Sequence, residues 1–171
     1  MEDYYSHPAK DKGDVQDCNN YRGIKLLSHT MKLWETVIEG RLRKKISISK
    51  NQFDFMPGRS IIEAIHLIRR LIVYRDRKKD LHMVFIDLEK AYDKVPRDVL
   101  WECLEKKGES VAYIQTIKDM YEEVKISVRS SIGDTEYFYI DIELHQCSAL
   151  SLFLLTIVMD ELTREIQDEV P

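Results

Sequence analysis

An aspartate ends a short apolar run, Met83-Val84-Phe85-Ile86-Asp87, and Tyr92 follows a few residues later. A carboxylate emerging from a buried strand is a good place to hold a hard divalent cation. Mg²⁺ takes oxygen ligands and usually keeps several waters while sharing substrate phosphates. The chemistry suggested is phosphoryl transfer. The same aspartate could instead cap the helix that follows. Tyr92 could lie against a nucleotide sugar, or be a core tyrosine with its hydroxyl satisfied. Asp93 reads as a cap or as an ion-pair partner of Lys90, Lys94 or Arg97.

Three further stretches could do chemistry. Leu144-His145-Gln146-Cys147-Ser148-Ala149-Leu150-Ser151 places small and polar residues before a helix start. The backbone N–H groups of such a start can receive an anion or a nucleotide, and Ser148 could equally be a plain cap. Asn20-Tyr21-Arg22-Gly23-Ile24-Lys25, with Lys10 and Lys12, could clamp a triphosphate. Gln52 to Ser60 contains a Pro57-Gly58 turn, from which Arg59 could reach a phosphate or simply face solvent.

These residues need elements to position them. Residues 1–20 are polar, punctuated by Pro8 and Gly13, and read as a loop or frayed end. Met31, Trp34, Ile38 and Leu42 recur at helical spacing and predict an amphipathic helix over 31–46, with Ser28 or Thr30 as its cap. Ile61, Ala64, Ile65, Ile68, Leu71 and Ile72 mark a second helix. Leu81 to Asp87 reads as a buried strand. Pro96 opens a helix that stops near Gly108, and another runs from Val111 to Tyr121. Residues 124–129 alternate, and with Gly133-Asp134 and the apolar run 135–142 they predict a β-hairpin. Leu150, Phe153, Leu154, Ile157 and Val158 form the stripe of a final helix. This order implies an α+β fold.

Composition narrows the classes. Hydrophobic residues make up 44% and charged residues 33% of the 171, a soluble, globular balance. No apolar run reaches the roughly 18 residues of a membrane span. Three scattered cysteines without a CxxC favour reduced thiols in an intracellular protein, nuclear or cytoplasmic. Residues 1–80 carry 17 Lys and Arg against 11 Asp and Glu, and the remainder carries 9 against 19. A basic first half suits phosphate binding and an acidic second half suits metal binding, although solvated helix faces give the same pattern.

Taken in order, the four stretches closely resemble the fingers and palm blocks of reverse transcriptases of the non-long-terminal-repeat, LINE-type retrotransposons. The resemblance spans roughly residues 8–168. It implies RNA-directed DNA synthesis with two Mg²⁺ ions on an RNA template and DNA primer with dNTP, in a partial right-hand polymerase fold with helices packed on a small antiparallel sheet. By position, Asp87 matches the first metal-binding aspartate, and Tyr92 the aromatic residue that discriminates against ribonucleotides. Arg22, with Lys10 or Lys12, falls in the region contacting the triphosphate. Gln146 and Ser148 match the block lining the nucleotide pocket, and Arg59 lies in the fingers block near the template. The implied division is an N-terminal extension over 1–20, a fingers-like helical part over 21–80 and an incomplete palm over 81–171.

Departures accompany the match. Asp54, Glu143 and Cys147 stand where the family has glycine, and Leu152 where it usually has proline. The family's paired aspartates and its thumb are not among the 171 residues, so the isolated chain is expected to be inactive. An unpaired palm edge is expected to promote self-association. The alternative is a non-catalytic nucleic-acid-binding or pseudogene-derived protein.

Overall fold

The computed structural model describes residues 4–10, 21–75, 82–88, 91–122, 124–130, 133–139, 144 and 148–168. The chain order is β1 (Tyr4–Lys10), β2 (Tyr21–Leu26), α1 (His29–Lys45), α2 (Ile61–Arg75), α3 (Ala91–Lys94), α4 (Arg97–Lys106), α5 (Val111–Tyr121), β3 (Lys125–Ser130), β4 (Gly133–Asp134), β5 (Phe138–Tyr139) and α6 (Ala149–Asp168). The fold is α+β. No described helix is long and apolar enough to cross a membrane.

The sheet runs β2-β1-β3-β4, with β5 also paired to β3. Its pairings are antiparallel except that between β1 and β3, which is parallel. The predicted hairpin is present as β3 with β4 and β5. The N-terminal reading is corrected, because residues 4–10 form a strand between β2 and β3 rather than a loop. Pro8 suggested a break, since proline cannot donate to a ladder. It lies past the parallel register with β3, which covers Tyr4 to Ser6, and faces Gly23 of β2.

The helical core surrounds α6. Leu150, Phe153, Leu154 and Ile157 are buried there against Ile38 and Leu42 of α1, Leu100 and Leu104 of α4, and Ile114 and Ile117 of α5. Burying each such side chain contributes about 1.5–3 kcal/mol. Local signals set the ends of these helices. The Ser28 hydroxyl accepts the Met31 N–H at 3.2 Å to cap α1. Arg43, Lys44 and Lys45 occupy the last turn of α1, at the negative end of its dipole. The end of α4 is a Schellman motif: Glu109 N–H donates to Leu104 C=O, Gly108 N–H donates to Glu105 C=O, and Gly108 has φ +78°.

A second correction concerns the predicted strand. Residues 82–88 take no regular secondary structure, and Val84, Phe85 and Ile86 are each more than three-quarters exposed. Apolar, β-branched composition makes a segment competent to be a strand, but pairing needs an edge to join. No strand among the described residues pairs with it. Helix α2 is likewise present as predicted yet buries none of its residues.

Candidate nucleotide and nucleic-acid site

Asp87 lies exposed on the segment 82–88. Tyr92 lies in α3, half-buried against the helical core. Its backbone carbonyl accepts the N–H of buried Leu144 at 3.1 Å. That bond joins the aspartate–tyrosine block to the block that ends in α6, two stretches far apart in sequence. Ser148 is buried, and its hydroxyl accepts the Ser151 N–H at 3.2 Å. It therefore caps α6, the local role its type and position allowed. Its carbonyl accepts the Leu152 N–H at 3.2 Å. A proline at 152 would lack that donor, so leucine there completes the first turn of the helix.

Gln146 and Lys12 lie outside the described residues, as do the departures at Glu143 and Cys147. Lys10 and Arg22 are in β1 and β2, where Lys10 is paired with Tyr21 and Arg22 with Ala9. Lys10 and Arg22 are thus one register step apart and are not directly paired.

Arg59 is exposed on the connection between α1 and α2. Its guanidinium lies 5.4 Å from the Phe53 ring centroid and 3.5 Å from Glu63. An open groove of about 560 Å³ lies beside it, lined by Glu39, Arg43, Phe53, Phe55, Met56 and Arg59. Phe55 has φ +56°, a left-handed conformation unusual for an aromatic residue, and its N–H is taken by the Asp54 carboxylate at 3.0 Å. The positive φ therefore sits one residue after the position where the family has glycine. Guanidinium groups beside aromatic faces suit a stacked base and its phosphate.

Sequence reasoning missed Arg43 as part of this groove. Its place in the last turn of α1 suits the helix dipole and gives no hint of the groove. The structure places its guanidinium 4.4 Å from the Phe153 centroid and pairs it with Glu39. A cation in the last turn of a helix that leads into a connection carrying Phe53 and Phe55 is the signal that could have found it.

Away from the groove, burial by itself would push the Glu109 carboxyl up. Hydrogen bonds from Lys45 and from the Ser110 N–H outweigh that effect and hold it below its usual value. Burial raises the Tyr113 phenol and the Cys103 thiol above theirs. Cys103 is thus an inert core thiol.

No group of three His, Cys, Asp or Glu among the described residues could hold a metal ion. Asp87 as placed is a single exposed carboxylate, which does not by itself fit a two-metal centre.

The family model described as reverse transcriptase (RNA-dependent DNA polymerase) matches residues 9–170, and the chain belongs to that family. It is 34% identical over 115 residues to the "Probable RNA-directed DNA polymerase from transposon BS" of Drosophila melanogaster, covering 64% of this chain and 13% of that protein. It is 30% identical over 122 residues to the "Transposon TX1 uncharacterized 149 kDa protein" of Xenopus laevis, covering 69% and 9%. It is 23% identical over 158 residues to the "Retrovirus-related Pol polyprotein from type-1 retrotransposable element R2" of Popillia japonica, covering 91% and 22%. The chain therefore matches between 9% and 22% of the length of these relatives.

Proposed function

We propose that this chain is the fingers and palm portion of a retrotransposon RNA-directed DNA polymerase, acting on an RNA template, a DNA primer and dNTP. The observation that carries the reading is the Leu144–Tyr92 backbone bond. It ties Tyr92 to Leu144, four residues before the cap of α6, which supports a nucleotide pocket shared by the two blocks. Residues 21–80 act as fingers and 81–171 as palm.

In this reading Asp87 would contribute one carboxylate toward a Mg²⁺ site, and Mg²⁺ held there would supply charge stabilisation for nucleotidyl transfer. Tyr92 lies against the sugar of the incoming nucleotide. Gln146 and Ser148 line the pocket, while Arg22, Lys10 and Lys12 meet the triphosphate. Arg59 contacts the template near the groove, where Phe53 and Phe55 offer stacking faces. These substrates place the protein inside the cell, in the nucleus or cytoplasm. The uncovered apolar residues of segment 82–88 favour self-association at the palm edge, which sedimentation at rising concentration would detect.

The test is a graft. Residues 9–170 replace the matching segment of an active family member, and primer extension on an RNA template is measured with Mg²⁺. The reading expects synthesis that Asp87→Asn abolishes. Synthesis that survives Asp87→Asn would remove Asp87 from its role, and a folded graft without synthesis would count against the polymerase reading.

A further inference from the structure

We propose that Asp160 is a positioning residue that holds the Arg59 loop in register with α6. The inference rests on the reading that this loop contacts nucleic acid. Asp160 is 5% exposed in the fourth turn of α6. One carboxylate oxygen accepts the Ser49 N–H at 2.9 Å, and the other accepts the Lys107 ammonium at 2.5 Å. Ser49 stands where the chain leaves α1 for the loop. Its carbonyl accepts the Gln52 N–H at 3.2 Å, and its hydroxyl accepts the Asn51 N–H at 3.2 Å. The first turn of the loop is thus built on Ser49, and Ser49 is bound to α6.

The far side of the loop returns to the same helix. The Met56 sulfur lies 4.0 Å from Arg43, and the Arg43 guanidinium stacks on Phe153. Phe153 and Asp160 are seven residues apart, two turns along one face of α6. That helix begins at Ala149, capped by Ser148 of the nucleotide block. One rigid helix therefore carries both anchors of the template loop and the start of the nucleotide pocket, and so sets the spacing between them.

A carboxylate is the group this junction needs. It must accept from a backbone N–H and an ammonium at once. An asparagine has one acceptor oxygen and would turn its NH₂ donors toward one partner. A buried ion pair adds little stability over an apolar replacement of similar volume. What Asp160 adds is therefore a fixed position for Ser49.

The test uses the 171-residue chain and a fluorescently labelled single-stranded RNA, with affinity measured across salt concentrations. Each phosphate contact to a single strand contributes about 0.7 to the slope of log affinity against log salt. Arg59→Ala should make the slope shallower by about that amount. Asp160→Asn should do the same, with no further loss in the double variant, whereas Lys107→Arg should keep the wild-type slope. If Asp160→Asn fails to fold, the pair Asp160→Leu with Lys107→Met removes both charges together and should still show the shallower slope. Asp160 variants that lower thermal stability but keep the wild-type slope overturn the proposal while leaving the loop reading intact. A salt-independent wild type overturns both.

Discussion

Lys45→Met tests how the end of α1 is tied to the turn between α4 and α5. The Glu109 side chain is fully shielded, while that of Lys45 is 61% exposed. The Lys45 ammonium donates to Glu109 Oε1 at 2.9 Å, and the Ser110 N–H donates to the same oxygen at 3.0 Å. Among the described residues Oε2 has no partner. In the wild type the Glu109 carboxyl sits below its ordinary value of 4.5. Its ionisation therefore stabilises the fold above that value, and the contribution is lost as pH falls through the lowered native value. Without Lys45 the largest remaining effect is burial, which pushes the carboxyl up. Only the two hydrogen bonds from Ser110 then oppose burial, so ionised Glu109 favours folding less than in the wild type. A hydrogen bond to a charged group contributes about 1.5–3 kcal/mol. Screening at the exposed ammonium argues for the lower end, about 1.5 kcal/mol at pH 7. For a chain of this size that is about 3–6 °C in Tm. Thermal unfolding followed by circular dichroism at neutral pH and again near the carboxylate range measures it. The deficit should shrink as pH falls, and adding Glu109→Gln should remove its pH dependence. An equal deficit at both pH values, or none at neutral pH, would refute the reasoning.

Truncating Leu104, which is 0% exposed between α4 and α6, should cost about 2–5 kcal/mol in urea unfolding. Ile62→Ala, at a site 76% exposed on α2, should stay within about 0.5 kcal/mol in the same assay. Gly108→Ala should cost about 1–2 kcal/mol: an added Cβ meets nothing within 4 Å, so the loss measured by denaturation is conformational, from φ +78°. Leu67→Asp on the uncovered side of α2 should lower any self-association seen by sedimentation without lowering Tm.

The sequence alone was enough to determine the features that depend on neighbours within a turn or two. Helical spacing with Ser28 ahead of it marked α1, Gly108 marked the end of α4, and the alternation after Val124 marked β3. The order of the four blocks carried the family, because residue types at a reactive centre are constrained by chemistry before geometry. Ser148 was legible as a cap for the same local reason. Tertiary structure decided the rest. Residues 4–10 became a strand because β2 and β3 flank them, whereas the more strand-like residues 82–88 have no described partner. Strand pairing joins distant segments, and no window along the chain contains both sides of it. The same holds for the candidate site. That Tyr92 meets Leu144, that Arg43 stacks on Phe153, and that one buried Asp160 holds the start of the Arg59 loop are contacts across the fold. Asp87 could be singled out by type and place, but only packing around α6 shows which blocks are held together.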